Sequence, residues 1–513
     1  MRDELGAIFS DGQFASLFPE RGKPAFSPWR LALVTVMQFA ENLSDRQAAN
    51  AVRGRLDWKY CLSLELTDPV FDASELCEFR SRLEASGAEM ELLDTLLGHF
   101  RELGLLRARG RQRTDATHVL ANVRRLSSLE RVGETMRLAL NALARAAPEC
   151  LGERARTDWT ERYALPFSEF RLPEGQNKRA KEAEKIGNDG LLLLDLAFGQ
   201  DTPAWIGKLS EVQTLRKVWL QNYLFTPEGD LRLRNKEDGL PPASVRIESP
   251  TDPECRYKTK GSTTWLGYKV HITESCDEGS PKIITNVVTI PASADDTAAV
   301  HPIHEALRAK GLLPTTNVVD MGYMDSKLLL ESRDRYKVEL LGPLRQNYQW
   351  QARQGGGFEL ADFEIDWETL VATCPEGQKS SSWRSMERRG KKLALKISFS
   401  RRVCGACPSR DLCISSSRSS TDGRNPRREL TVDSRERYEA LKIARQREYT
   451  SEYAREYAHR GGIEGTVSRG VRTHGLRRTR YRGLQRVHLG HALTAAAMNF
   501  ARVGEWWRGL SSR

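Results

Sequence analysis

The sequence predicts an α/β fold, a mixed sheet flanked by helices, with an all-helical N-terminal segment and a cysteine-bearing insertion. Three observations point there. Residues 1–105 carry one helix-start signal after another and no strand-like alternation. Residues 265–341 read as a hairpin followed by helix, strand, helix and strand. Residues 345–435 lose both periodicities, with Gly355-Gly356-Gly357, many serines and four cysteines, before helical patterning returns. At 513 residues the chain exceeds one ordinary domain and allows about three. With 39% hydrophobic and 29% charged residues, a packed core is within reach.

Along the chain, Ser27-Pro28 reads as an N-cap with proline at the first helical position. Trp29, Leu31, Leu33, Val34, Val36, Met37, Phe39 and Ala40 make the helix behind it a buried one. Ser44 with Gln47 three residues on forms a capping box. Asp72-Ala73-Ser74-Glu75 opens a helix running through Phe79, Arg80 and Leu83. Short successive helices of this kind suit a helix-turn-helix module or a plain helical packing domain. Residues 112–123 turn β-leaning around Asp115. Ser127 or Ser128 then caps a helix whose Leu129, Val132, Met136, Leu140 and Leu143 form one apolar stripe.

From about 145 to 250 the composition is charged and mixed, with only 191–198 strongly apolar, which reads as a largely helical insertion with loops. Beyond Trp265, Tyr268, Val270 and Ile272 alternate with Lys269, His271 and Thr273. A polar loop at 274–282 and a second strand at 283–290 complete a hairpin. A helix is expected over about 296–310, a strand at 317–320, a helix from about Asp325 and a strand at 338–341. Residues 436–474 read as one long polar helix, 476–486 as an arginine-dense segment, and 484–503 as a final helix.

The net charge of +11, from 79 Lys and Arg against 68 Asp and Glu, is unevenly placed. Residues 401–513 hold 24 basic and 11 acidic side chains, leaving the first 400 nearly balanced. A basic excess gathered in the last fifth suits contact with a polyanion; a solvated arginine-rich helix is the plainer reading. No stretch reaches the ~18 consecutive apolar residues of a membrane span, and the opening Met1-Arg2-Asp3-Glu4-Leu5 lacks a signal peptide's apolar core. Nine cysteines, odd in number and mostly scattered, do not suggest a secreted disulfide scaffold. A soluble cytoplasmic protein with no membrane partner is expected.

Asp115 and Asp320 each belong to a short strand of the α/β region, and such sheets bind ligands beyond the carboxyl ends of their strands. Two carboxylates brought together repel unless cations neutralise them, and hard oxygen donors favour Mg²⁺ or Mn²⁺. A third acid would complete a two-metal site that activates a nucleophile and stabilises a leaving oxygen. Glu464 is the candidate. Tyr457, Arg460 and Glu464 stand at i, i+3 and i+7, one face of a helix. An arginine beside a metal-bound carboxylate is a natural phosphate ligand. Arg469, Arg472, Arg477, Arg478, Arg480, Arg482 and Arg486 follow, with Tyr481 among them.

Other acids have simpler uses. Asp295, Asp296 and Asp325 read as helix caps, and Glu452 and Glu456 miss the spacing. His118 and His271 lie on strand candidates and face either the site or the core. Trp265 suits base stacking or, more simply, hairpin packing. Trp506 and Trp507 offer a partner surface or cover the last helix. Cys374, Cys404, Cys407 and Cys413, spaced C-x29-C-x2-C-x5-C, form a separate set. Four thiolates bind Zn²⁺ tetrahedrally, so a structural zinc would hold a zinc-ribbon-like insertion too poor in apolar residues to fold alone. Reduced thiols packed in a loop-rich insertion are the rival reading.

Five motifs stand in order: Asp-Ala-Thr-His at 115–118, Gly267-Tyr268-Lys269-Val270-His271, Pro291-Ala-Ser-Ala-Asp-Asp296, Asp320-x-Gly322-Tyr323 and Tyr457-x2-Arg460-x3-Glu464. Taken together they resemble bacterial insertion-sequence DDE transposases of the ribonuclease H-like type, most closely the branch with a Tyr-Arg-Glu-Lys signature. Glu78-Phe79-Arg80-Ser81-Arg82-Leu83 is similar to the end of that branch's N-terminal domain. The resemblance covers most of the chain.

It implies a ribonuclease H-like sheet in which Asp115, Asp320 and Glu464 are the catalytic triad, holding two Mg²⁺ or Mn²⁺ ions. Tyr457 and Arg460 would contact the DNA backbone near the scissile phosphate, with Arg472, Arg477, Arg478 and Arg480 as further DNA ligands. The branch pattern expects Lys at 471; this chain has Val471, with Arg472 beside it. Gly461-Gly462 costs a helix about 1 kcal/mol per glycine, which predicts a helix that is kinked or ordered only with DNA bound.

On this resemblance 1–105 is a helical DNA-binding domain and 106–125 the first part of the catalytic core. Residues 126–255 are the largely helical insertion, 256–345 the central part of the core, and 346–435 the insertion with the four-cysteine zinc site. Residues 436–513 are the helical end of the core, with its basic segment. The expected activity is metal-dependent cleavage at element ends, then strand transfer into target DNA, by a homodimer on double-stranded DNA associated with the nucleoid. The alternative is a non-catalytic DNA-binding protein derived from a transposase; a nuclease without strand transfer is a third reading.

Overall fold

The computed structural model describes residues 8–19, 21, 26–151, 158–200, 202–347, 349–388, 392–414 and 427–509. Helix α1 (Pro28–Ala40) starts where Ser27-Pro28 places it, but the cap is Asp11. The Asp11 carboxylate accepts the Trp29 N–H at 3.0 Å and the Ser27 hydroxyl at 2.8 Å. Helix α2 (Asp45–Gly54) opens on the expected Ser44–Gln47 capping box. After α3 (Leu56–Cys61), Asp72 and Glu75 cap α4 (Ala73–Ala85), and α5 (Glu91–Glu102) follows. Strand β1 covers Arg111–Leu120. Ser127 and Glu130 close a capping box on α6 (Ser128–Ala146), whose stripe residues Leu129, Val132, Met136 and Leu143 are buried.

Helices α7 (Gln176–Phe198) and α8 (Ser210–Asn222) precede a short hairpin, β2 (Tyr223–Phe225) and β3 (Leu231–Leu233). Strands β4 (Arg256–Lys260), β5 (Thr263–Ser275) and β6 (Ile284–Pro291) lead into α9 (Thr297–Ala309), β7 (Thr316–Val318), α10 (Ser326–Tyr336) and β8 (Glu339–Leu341). Five strands follow: β9 (Glu364–Asp366), β10 (Val371–Thr373), β11 (Ser382–Arg388), β12 (Lys392–Ser398) and β13 (Glu429–Val432). The chain closes with α11 (Arg435–Glu448), α12 (Ser451–Ala458), α13 (Gly461–His474) and α14 (Leu484–Trp507).

The chain forms two units, one from residues within 1–107, 115–299 and 463–513, the other from 108–114 and 300–462. In the first, α14 is the centre. It packs against α1 and α5 and against strand β6, and its small residues Gly490, Ala492 and Ala495 to Ala497 are all buried. The Asn499 side chain accepts from the Ile284 N–H at 2.7 Å and donates to the Ile284 carbonyl at 2.8 Å, satisfying backbone groups at the start of β6.

Strand β5 pairs antiparallel with β4 over 263–267 and with β6 over 268–274, and the second half of β1 lies beside it. Gly267 sits at φ +153°, and a Cβ there would stand 2.1 Å from the Val119 carbonyl oxygen. Only glycine allows that close approach of β5 to β1. Helices α6, α7 and α8 enclose a second apolar core with Trp159, Tyr163, Trp219 and Tyr223.

In the second unit, β1 begins parallel to β7, with Arg111↔Thr316, Gln112↔Asn317 and Arg113↔Val318, and β7 runs parallel to β8. Strands β9 and β10 form a hairpin, and β11, β12 and β13 an antiparallel sheet. Phe363, Ala372, Ile397, Phe399, Leu430 and Val432 make a core there. This corrects the expectation of a loop-rich stretch too poor in apolar residues: the core residues lie far apart in sequence, so no local window collects them. The long helix expected over 436–474 is likewise corrected to three, α11, α12 and α13. Thr450 supplies the second start, its hydroxyl accepting the Tyr453 N–H at 3.1 Å. Among the described residues no helix is long and apolar enough to cross a membrane.

Candidate active site

Asp320 follows β7 and caps the turn Met321–Tyr323, its Oδ1 accepting the Gly322 N–H at 2.7 Å. Asp115 is half-buried on β1 and its Oδ1 accepts the Ala116 N–H at 2.8 Å. Arg113 and Val318 are paired across the parallel β1–β7 ladder. Asp115 comes two residues after Arg113, and Asp320 two residues after Val318. Glu464 is exposed in the first turn of α13, where a carboxylate also suits the helix dipole.

Tyr457, Arg460 and Glu464 do not share one helix. Helix α12 ends at Ala458, and the N–H groups of His459 and Arg460 bond back three residues, to Glu456 at 3.3 Å and Tyr457 at 2.9 Å. Of the two glycines, Gly462 has a spatial reason as well as a propensity cost. A Cβ on Gly462 would meet Arg113 Nη1 at 2.0 Å, and that nitrogen donates to the His459 carbonyl at 2.5 Å. Buried Arg113 thus lies against Gly462 and satisfies a carbonyl just past the end of α12. Tyr457 stacks on Tyr453, ring centroids 5.6 Å apart and 8° from parallel, against Val318 and Leu341.

Glu274 was expected in a polar loop. Instead β5 continues past a bulge at Thr273/Glu274, and the Glu274 carboxylate is fully buried. It accepts from the Thr466 hydroxyl at 2.6 Å and Arg502 Nη1 at 2.9 Å. Arg502 also donates to Thr466 at 2.5 Å and to the Lys282 carbonyl at 2.9 Å. This network ties α13, two residues beyond Glu464, to β5 and α14.

Much of the arginine-dense segment holds the chain itself. Arg477 donates to the Thr117 hydroxyl at 2.8 Å, Arg480 to the Leu43 carbonyl at 2.8 Å, and Arg482 to the Asn122 carbonyl at 3.1 Å. Arg486 pairs with Glu84 at 2.7 Å and Arg469 with Glu505. A polar segment between two helices has backbone carbonyls and carboxylates around it, and guanidinium groups satisfy several at once. Arg472 and Arg478 are exposed.

Trp265 is buried and donates to the Tyr268 carbonyl at 3.1 Å, a hairpin contact. Asp325 caps α10 through the Lys327 N–H at 2.8 Å. Asp296 ion-pairs with Lys269 at 2.5 Å. His118 lies 5.4 Å from the Trp265 ring, and burial, then Arg477, hold its pKa below the ordinary value. His271 is fully buried rather than open to a site. Burial, with minor and opposed effects from Asp296 and Lys269, lowers its pKa to about 4.

Burial also holds His304 at about 4 and His491 at about 3. These groups protonate more readily unfolded, near pH 6.5, than folded. Their stabilisation is present above pH 6.5 and lost as pH falls toward 4. Unfolding by urea should therefore give a stability at pH 5 lower by about 2 kcal/mol per histidine than at pH 7, and His271→Gln should remove one such share.

Cys374, Cys404, Cys407 and Cys413 line one small cavity with Phe358, Phe399 and Arg428. Burial pushes the Cys413 thiol up to about 11, against the lowering effect of Arg428, and raises Cys404 as well. Among the described residues, no three or more His, Cys, Asp or Glu side chains form a group that could hold a metal ion.

Residues 373–504 match the family described as Transposase DDE domain, and residues 2–82 match Transposase domain (DUF772). The first match contains the four cysteines, Tyr457, Arg460 and Glu464; Asp115 and Asp320 lie outside both. No curated protein and no solved structure matches the chain. The chain is thus similar to two transposase families, the N-terminal match covering α1, which packs on α14, and the other match covering most of α14 itself.

Proposed function

We propose that the chain cleaves DNA at the ends of an insertion sequence and joins the freed 3′-hydroxyl to target DNA, through a ribonuclease H-like core. Asp115, Asp320 and Glu464 are the residues that would hold two Mg²⁺ or Mn²⁺ ions, as hard oxygen donors suit. The carrying observation is the pair of transposase matches, the second of which contains Tyr457, Arg460 and Glu464. Bound ions would supply nucleophile activation and leaving-oxygen stabilisation. Around them Tyr457, Arg460, Arg472 and Arg478 position the DNA backbone, while Arg477 and Arg480 keep their bonds within the chain. Paired ends call for a homodimer on DNA. The experiment is incubation with an end-bearing duplex, a target plasmid and Mg²⁺, with the products sequenced. Joined products are expected; cleaved but unjoined ends would make it a nuclease instead.

The four cysteines would hold a structural Zn²⁺ as thiolates, the ion displacing protons that burial otherwise retains. Metal analysis of freshly reduced, purified protein should find about one zinc per chain. Protein without zinc would leave the four residues as packed thiols.

Val471 favours the second reading, a DNA-binding protein derived from a transposase. It is half-buried in α13 at the position where the resembled branch has a lysine, so either Arg472 beside it substitutes after a small shift or a phosphate contact is lost. That reading gives DNA binding with no Mg²⁺-dependent product.

A further inference from the structure

We infer that the first unit carries a separate phosphate-binding site, a cavity at the start of α6 that takes a phosphate-bearing nucleotide of a DNA strand. The cavity measures about 490 Å³, room for one nucleotide, and Ser127 at the α6 N-cap forms part of its wall. Arg125, Arg131, Arg234 and Arg246 line it, and Glu248 is the one acidic side chain among the lining residues.

Glu248 is already shared. It accepts from Arg131 at 3.2 Å and from Arg246 at 2.6 Å. Arg131 is 8% exposed, and its remaining side-chain contact in the wall is Asn222 at 3.3 Å. The Nε–H groups of Arg131 and Arg234 are buried and meet no acceptor among the described residues. Arg234 otherwise donates to the carbonyls of Asp238 and Gly239. Arg125 is exposed and lies over the Tyr257 ring at 5.4 Å.

Four guanidinium groups thus line the cavity with one carboxylate, which bonds Arg131 and Arg246, and two buried N–H donors are left over beside a helix N-terminus. Buried donors are ordinarily satisfied, and a wall with surplus donors and surplus positive charge is matched by an anion with several acceptor oxygens. The electrostatics agree: burial lowers the Arg131 pKa, Glu248 raises it, and Arg246 and Arg125 lower it again. Phosphate on a strand, rather than free phosphate, fits a DNA-processing protein, so the inference rests on that reading.

The test is fluorescence anisotropy with full-length protein, a short labelled DNA single strand and its duplex, in EDTA across a salt series. The Arg125→Gln/Arg234→Gln double variant keeps Arg131, whose loss would strand Glu248. It should bind the single strand about tenfold more weakly, with the slope of log affinity against log salt reduced by roughly 1 to 2. Lys236→Gln, a charge removed outside the cavity, should bind as wild type does. Unchanged affinity and slope in the double variant would overturn the site, as would an equal loss in Lys236→Gln. Inorganic phosphate binding that depends on Arg125 and Arg234, with strand binding indifferent to them, would overturn the strand as ligand. Because no Mg²⁺ is present, these outcomes stand apart from cleavage: a chain that never cuts DNA can still pass or fail them.

Discussion

Asp320→Asn should reduce Mg²⁺-dependent nicking of end-bearing DNA by about a thousandfold or more while leaving thermal unfolding close to wild type. Asparagine is the informative replacement because of what Asp320 does locally. Its Oδ1 accepts the Gly322 N–H and holds the turn before α10. An amide oxygen keeps that bond, so the fold loses little, whereas alanine would cost about 1 kcal/mol of capping and confuse the two effects. What asparagine lacks is the negative charge that draws a divalent cation. Asp115→Asn follows the same logic, since Asp115 also bonds its neighbouring backbone N–H. Nicking assays at saturating Mg²⁺, with melting curves on the same preparations, decide the matter. A variant that cuts within tenfold of wild type removes that residue from the triad.

Glu274→Ala should destabilise the first unit by roughly 3–5 kcal/mol, because it leaves Arg502 buried without its carboxylate. The Arg502 side chain is 13% exposed and the Glu274 side chain fully buried, so water replaces the lost partner poorly. Urea unfolding followed by fluorescence measures the loss. Replacing both partners, Glu274→Leu with Arg502→Leu, should recover much of the stability, since neither charge is then stranded. A double variant as weak as Glu274→Ala would mean that the shape of the network, not its charge, is what counts. At temperatures where the single variant remains folded, displacement of α13 should also lower nicking, because Thr466 lies two residues from Glu464.

Elements with a local signal were readable from the sequence. Ser44 with Gln47 and Ser127 with Glu130 specify their helix starts through two reciprocal hydrogen bonds, and both form as expected. The alternation Tyr268, Val270, Ile272 likewise gave the β5–β6 hairpin. What failed depends on contacts distant in sequence. Asp11 takes the capping role of Ser27 from sixteen residues away. Arg113 fills the space beside Gly462, far along the chain, and donates to the His459 carbonyl just past the end of α12. Glu274 looks polar and loop-like until a bulge turns it inward to meet Arg502. The candidate acids stood out by residue type and order, but the arginines after Glu464 could not be sorted. Composition cannot separate Arg480, which bonds Leu43, from Arg478, which is exposed.

The placement of α14 bears on how the protein acquires its shape. A helix clasped by α1 and α5 on one side and lying on β6 on the other cannot settle until segments more than four hundred positions apart have found each other. Closing so long a span is slow, and meanwhile the oily flank that α1 and α5 cover stands bare, inviting self-association. A shortened version lacking the opening helices would keep that flank uncovered for good and should precipitate rather than serve as a trimmed catalyst.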